Sequence, residues 1–446
     1  MPTINNGDTA WVLVSAALVL LMTPGLAFFY GGMVRVKSVL NMMMMSFAAL
    51  AVVPVLWVLY GYSMTFGNSV GGVVGNPGDF LGLKGLMSTD AIITVSKDHA
   101  IPAMAFVAFQ VAFAIIAVAL ISGAIADRAK FLTWVIFVAV WSTLVYFPVA
   151  HWVFAFDGAA SEKGGWIANG IKAIDFAGGT AIHINAGAAG LALALVLGKR
   201  LGFAKEPMRP HNLTLVMLGA ALLWFGWFGF NAGSALGAGT TAAVAWVNTC
   251  VATAAAMGGW LLVERYRDGH ATSLGAASGV VAGLVAITPS CSSLSPIGSI
   301  ILGLVAGVIC AYAVGLKYKL GYDDSLDVVG VHLFGGLVGT IGVGFLATAD
   351  APAAVNGLFY GGGVDQLWRQ TVGALAVLVY SFVVSYLIGL ILHKTIGFRV
   401  DTDTEMAGVD QGEHAESGYD LAGIPGGRGG LAIGGHLSHS TSEVNA

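Results

Sequence analysis

Nine stretches of the 446-residue chain hold no Asp, Glu, Lys or Arg, and the charges collect between them: 9–34, 38–78, 99–126, 131–156, 176–198, 210–263, 269–316, 328–349 and 370–393. A spanning helix needs about 20 largely apolar residues, so each stretch is long enough to cross a bilayer. Two of them, 54 and 48 residues long, exceed one helix and contain turn-like segments, GSALGAGTT (233–241) and TPSCSSLSP (288–296). The pattern predicts an all-α polytopic membrane protein with eleven transmembrane helices, near 10–31, 38–64, 101–125, 131–156, 176–198, 212–233, 241–263, 271–288, 297–316, 328–348 and 370–393. Residues 1–393 form the membrane domain on this reading, and 394–446 form a tail.

Lys and Arg are held on the cytoplasmic side of a membrane. With the N-terminus outside, the inner segments hold 15 of the 20 basic residues, from Arg35 and Lys37 to Lys394, Arg399 and Arg428, and the outer ones hold only Lys84, Lys97, Lys163, Lys172 and Arg369. The expected topology is therefore N-terminus outside and C-terminus cytoplasmic. No basic residue precedes the first apolar run, so helix one reads as retained and not as a signal peptide.

Composition narrows the class further. Charged residues are 10% of the chain, where soluble domains carry about 25%, and hydrophobic residues are 57%. A soluble enzyme, a disordered chain and a nucleic-acid binder are excluded. The 63 glycines suit close helix packing in lipid, the role expected of AGAAG (186–190) and GGLVG (335–339). The tail alone is strongly acidic, with 3 basic and 8 acidic residues. Its acids Asp401, Asp403, Glu405, Asp410, Glu413, Glu416 and Asp420 are expected to face the Arg and Lys of the inner loops and so to act on the membrane domain.

Eleven helices parse as five plus five plus one, and two successive five-helix units have opposite topology, the plan of inverted-repeat transporters. The fifth helix of each half supports this: one opens DFAGGTAIHI (175–184) and the other DVVGVHLFGG (327–336), each with an Asp at the start and a His inside. An ionisable group within a span is costly and marks a path for substrate or protons. His183 and His332 are thus the leading candidates, against the plainer reading of neutral histidines bonded to backbone carbonyls. A neutral imidazole has one donor and one acceptor nitrogen, so two facing rings can share a proton and still serve a small polar solute. Asp175 and Asp327 stand at the helix mouths, where a carboxylate caps the first turn and favours a nearby cation.

Aromatic residues cluster in FQVAFA (109–114) and WFGFNAGS (227–234). With 23 Phe in the chain, packing is the ordinary explanation. Aromatic faces nevertheless attract cations, apolar constrictions gate by dewetting, and Ser234 adds a hydroxyl. Met42–Met45 covers all faces of a helix and reads as packing rather than a metal site. The three cysteines (Cys250, Cys291, Cys310) make no disulfide framework, and no zinc site, nucleophile elbow or P-loop is present, so no metal, cofactor or enzymatic chemistry is expected.

These segments resemble the ammonium transporters of the Amt/Mep/Rh superfamily, of the bacterial Amt type. The resemblance rests on DFAGGTAIHINAGAAGLALALVLGKR (175–200), TPGLAFFYGGMVRVKSVLNM (23–42), FQVAFAIIAVALISGAIADR (109–128), LLWFGWFGFNAGSA (222–235), the stretch ending at His332, and EMAGVDQGEHAESGY (405–419). It implies uptake of ammonium across the plasma (inner) membrane: recruitment at an outer vestibule by Ser234, Phe113 and an aromatic wall with Asp175 beneath, deprotonation, a gate of Phe113 and Phe230, and passage of ammonia along twin histidines His183 and His332. The family's vestibule tryptophan lies in a short segment before the signature Asp, whereas 151–175 is longer here, leaving Trp152, Phe154 and Trp166 all open. The resemblance further implies a homotrimer in the lipid bilayer and a cytoplasmic PII signalling protein as partner. A Rh-type neutral gas channel and an ammonium sensor acting through a cytoplasmic partner are the competing functions.

Overall fold

The computed structural model describes residues 2–419, so Asp420, Arg428 and the rest of the tail lie outside the described residues. Ten described helices are long and apolar enough to cross a membrane: α1 (Asn6–Met33), α2 (Val36–Phe66), α3 (Ala103–Ile125), α4 (Phe131–Phe154), α5 (Gly179–Leu197), α6 (Leu213–Gly233), α7 (Thr240–Arg267), α9 (Pro296–Leu320), α10 (Val329–Leu346) and α11 (Asp365–Thr395). Between α7 and α9 runs a shorter apolar helix, α8 (Ser273–Ile287). Tight turns continue α8 as far as Leu294, whose amide reaches the Ser290 carbonyl at 3.2 Å. The chain is thus an all-α polytopic membrane protein. The two over-long apolar runs divide where small and polar residues interrupt them, at 234–239 and 288–295.

Lipid offers no partner to a bare amide, so helix starts are closed by side chains. Asn5, Asn212, Thr272 and Ser295 cap α1, α6, α8 and α9 in this way, each accepting an N–H from three residues on. At one end of the bundle, short strands β1 (Thr3–Ile4), β4 (Ile92–Thr94) and β5 (His99–Pro102) form a sheet in the order β1-β5-β4, with β1 parallel and β4 antiparallel to β5. A hairpin, β2 (Ser69–Val70) with β3 (Val74–Gly75), forms a second sheet.

The centre is set by α5 and α10. A Cβ on Gly187 would lie 2.5 Å from the Leu333 amide nitrogen, and one on Gly336 would lie 3.0 Å from the Gly179 carbonyl oxygen. Each glycine follows a histidine, His183 or His332, by four residues, one turn along its helix. The expected close contacts of AGAAG and GGLVG are thus made between the two histidine helices through Gly187 and Gly336, while Gly335 and Gly339 face Val285 and Ala286 of α8. Both helices also begin with π-helical turns, Gly179–Ile184 and Val329–Leu333, which contain the histidines. Such turns recur at functional sites.

At the other end the basic residues gather into a buried ion cluster. Arg200 grips both oxygens of Asp323, with Nε at 2.9 Å and Nη2 at 2.8 Å, and reaches Asp127 at 3.2 Å, which Arg35 also contacts at 3.1 Å. Arg128, fully buried, donates to Ser325 Oγ and the Asp323 carbonyl oxygen, both at 2.6 Å. Burial pulls the Arg128 guanidinium down to about 10, with Asp323 opposing, so it stays charged at neutral pH. Burial pushes the Asp323 carboxyl up, but the Arg200 hydrogen bond and the two Arg charges bring it below its usual range.

The tail docks on this end through α12 (Thr402–Ala407) and α13 (Val409–His414). Its acids meet mostly backbone amides rather than the basic side chains expected. Asp410 accepts from the Leu40 and Asn41 amides at 3.0 and 2.7 Å, and Glu413 accepts from the Phe131 amide at 2.8 Å. Glu405 accepts from the Leu201 amide and from Arg399, each at 2.7 Å. The reason is local: Asp127 and Asp323 already engage Arg35, Arg128 and Arg200, while the first turn of the regular α-helix in α2, which starts at Val39 after a short 3-10 turn, and the first turn of α4 carry amides with no partner inside the helix. Asp410→Ala is expected to lower stability by about 1–2 kcal/mol, seen as a lower melting temperature in detergent. Truncation after Phe398 is expected to reduce uptake while the protein still reaches the membrane; parental uptake would separate the tail from the transport path.

Candidate functional site

The site begins with a cap. Asp175 Oδ1 accepts from the Gly178 and Gly179 amides at 2.9 and 2.6 Å, and Oδ2 accepts from the Thr180 and Ala181 amides at 2.8 and 3.2 Å and from the Thr180 hydroxyl. Five donors fill the roughly four lone-pair sites of a carboxylate. Asp175 is therefore a fixed, buried negative charge at the head of α5, with no oxygen left over to grasp a cation. Gly178 makes this possible, since its φ of +127° lets the chain fold back over the carboxylate.

In the second half the cap is Asp324, not Asp327. Asp324 accepts from the Val328 and Val329 amides at 3.1 and 2.7 Å. Asp327 adopts φ +64° and pairs with Lys317 Nζ at 2.7 Å. Asp324 precedes His332 by eight residues, the offset that separates Asp175 from His183. Burial, the largest influence, raises the Asp324 carboxyl to about 6 although Lys317 pulls it down.

The two histidines meet. His183 Nδ1 and His332 Nδ1 are 3.3 Å apart, with ring planes 18° from parallel and both residues buried. A hydrogen bond between two Nδ1 atoms holds one proton, so in the neutral pair one ring keeps a protonated Nε2 and the other a bare one. His183 Nε2 is buried and has no partner among the described residues.

Around the pair the expected side chains fall into order. A cavity of about 290 Å³ is lined by Phe113, Gln110, Ser234, Phe154 and Phe176. Beyond Phe113 lies Phe230, ring centroids 4.4 Å apart and both buried, and Phe230 in turn lies 6.1 Å from the His183 ring. Past His332 is a space of only about 10 Å³, bounded by Phe29, Tyr30, Ser278, Asp327 and Val331. That is about room for one water. A wider cavity of about 880 Å³ shares Phe154, Phe176 and Ser234 and reaches Asp175. Ser234 donates its hydroxyl proton to the Phe230 carbonyl oxygen at 2.8 Å, which leaves its oxygen lone pairs free.

Of the three aromatic residues left open by the sequence, Phe154 lines both cavities. Trp152 and Trp166 line neither: they pack on each other at 5.6 Å, Trp152 sits against Tyr380 at 4.7 Å, and its Nε1–H is committed to the Val73 carbonyl at 2.6 Å. Sequence reasoning missed Trp227, whose ring lies 5.3 Å from His183 and 18° from parallel. Its position three residues before Phe230, on the same helix face, was the available signal. It also missed Phe176, next to Asp175.

The three aspartates are separable by substitution. Asp175→Ala is expected to cost the most, Asp324→Ala about 1–2 kcal/mol for its two cap bonds, and Asp327→Ala least, as measured by thermal melting in detergent. The reverse order for Asp324 and Asp327 would refute the assignment of the second cap.

The profile of the Ammonium Transporter Family matches residues 10–419. An ammonium transporter of Mycobacterium bovis is 63% identical over 434 residues, covering 94% of this chain and 91% of that protein. One from Bacillus subtilis is 44% identical over 418 residues, covering 93% and 98%. Among solved structures, a sensor Amt protein aligns with a TM-score of 0.83 at 27% identity, covering 92% of this chain and 98% of that one. Mep2 of Saccharomyces cerevisiae aligns with a TM-score of 0.78 at 30% identity, covering 90% and 88%. This multi-pass plasma-membrane protein therefore belongs to the ammonium transporter family, as a transporter of ammonium and not an enzyme.

Proposed function

We propose that the protein takes up ammonium by collecting NH4+ in the cavity of Ser234, Phe113 and Phe154, releasing one proton to solvent at that cavity, and passing NH3 through Phe113 and Phe230 to the pair His183–His332. The observation that carries this reading is the buried contact between two imidazole nitrogens in an otherwise apolar passage. Ammonium has the size of potassium, so a pore conducting the ion itself would leak potassium. A dewetted, aromatic-walled passage disfavours any bare charge, whereas ammonia crosses it and hydrogen-bonds to imidazole. The saturated Asp175 supports a supporting role: its charge favours a cation in the adjoining cavity without binding it.

On this reading the cavity end faces outside, and the basic end, with the docked tail, faces the cytoplasm, in keeping with the distribution of Lys and Arg. The homotrimer and a PII-type partner at the cytoplasmic face belong to the same proposal and rest on the family resemblance. Uptake that follows the NH4+ concentration as external pH is varied, and not the NH3 concentration, distinguishes this scheme from a neutral gas channel.

His183→Ala and His332→Ala are each expected to abolish uptake of radiolabelled methylammonium in cells lacking their own transporters, with parental amounts of protein in the membrane. An acidic residue at either position places a fixed charge in the passage and is expected to lower discrimination between ammonium and potassium, read as competing currents. Parental rate and selectivity in both alanine variants would make the pair structural and the scheme wrong.

A further inference from the structure

We infer that Thr288 is a positioning residue for transport: it holds the indole of Trp227, and through it the ring of His183, in the orientation that aligns the histidine pair. This rests on the reading above that the pair conducts.

Thr288 is fully buried, just past the end of α8. Its hydroxyl has one proton, which goes to the Leu284 carbonyl oxygen at 2.8 Å. The oxygen lone pairs then face the Trp227 Nε1–H, which donates at 2.9 Å. The direction of both bonds is therefore settled, because an indole can only donate. Trp227 lies 5.3 Å from the His183 ring and 5.1 Å from the Phe230 ring, so one indole abuts both the gate and the first histidine.

The next residue makes the same segment a bracket. Pro289 accepts the Phe176 amide at 3.2 Å, and its ring packs so closely on the start of α5 that a Cβ on Gly179 would lie 2.5 Å from it. Residues 288 and 289 thus bind the indole of α6 with one hand and the head of the His183 helix with the other. His183 has no hydrogen bond to a structural partner: Nδ1 is shared with His332, and Nε2 has none among the described residues. Its ring orientation depends on its neighbours, and the most nearly parallel non-histidine neighbour is the indole that Thr288 anchors.

The test compares Thr288→Val, which keeps the shape and removes the hydroxyl, with Thr288→Ser, which keeps the hydroxyl, and with Trp227→Phe, which keeps a ring but removes the donor. All are assayed for radiolabelled methylammonium uptake in cells lacking their own transporters, corrected for the amount of protein in the membrane. Thr288→Val is expected to lower the maximal rate about tenfold with KM within about twofold, because the outer cavity is untouched. Thr288→Ser is expected to return the rate to within about twofold of the parent, and Thr288→Val is expected to add nothing in the Trp227→Phe background. A purely packing role predicts additive losses instead, and that outcome, or a parental rate for Thr288→Val, overturns the inference. Should Thr288→Val fail to reach the membrane, Trp227→Phe tests the same bond from its other end, and a parental rate there is equally fatal. His183→Ala run alongside separates the two readings: if it transports like the parent the histidine scheme itself falls, and if it is inactive while Thr288→Val is parental, only the positioning role falls.

Discussion

Two imidazoles 3.3 Å apart inside a membrane protein require the helices that carry them to touch backbone to backbone. That contact between α5 and α10 is the constraint on which the rest depends. It is made by Gly187 and Gly336, one turn beyond each histidine, at places where any side chain would strike the partner's backbone or its Ile184. The crossing in turn fixes where each helix must begin, and each beginning is closed by a carboxylate eight residues before the histidine, Asp175 or Asp324. Pairing, crossing and capping are thus one arrangement repeated twice in opposite senses.

The distribution of polarity follows from that centre. Charges are concentrated at the basic end, where Arg35, Asp127, Arg200, Asp323 and Arg128 partner one another. A buried ion is costly unless paired, and removing one member of such a set strands the others. Close to the histidines the carboxylates are already committed, Asp175 to the amides that open α5 and Asp327 to Lys317. The largest set of buried ion pairs thus lies at the basic end, while the pair Arg369–Asp365 stands at the wall of the wide cavity.

How much of this could be read from the letters depends on what each feature rests upon. The helices were legible because charge in a bilayer is confined to the ends of spans, so gaps in the charge pattern mark them directly. His183 and His332 were legible as positions for the same reason, being ionisable residues in apolar runs. The second cap was misassigned because 323–327 offers three aspartates. Which one caps α10 is decided by the left-handed backbone at Asp327, which turns that side chain toward Lys317. The eight-residue offset to the histidine was the better guide than matching an opening Asp to an opening Asp. The aromatic residue that lines the cavity was illegible for a different reason: Trp152 is drawn away by Tyr380 and Val73, contacts that no local pattern encodes. The tail's partners were misjudged because an unpaired amide at a helix start is not a residue type and leaves no mark in a count of charges.

The capping of α2 by Asp410 has a consequence for biosynthesis. The amides at Leu40 and Asn41 receive their acceptor from a residue about 370 positions later in the chain. At ribosomal rates of about 5–20 residues per second, roughly 20–70 s separate the appearance of the two partners. The second helix therefore enters the membrane with these two amides still open, and a segment synthesised much later is the one that closes them. Assembly of the basic end is in this sense ordered by translation, with the tail serving as a late fastener.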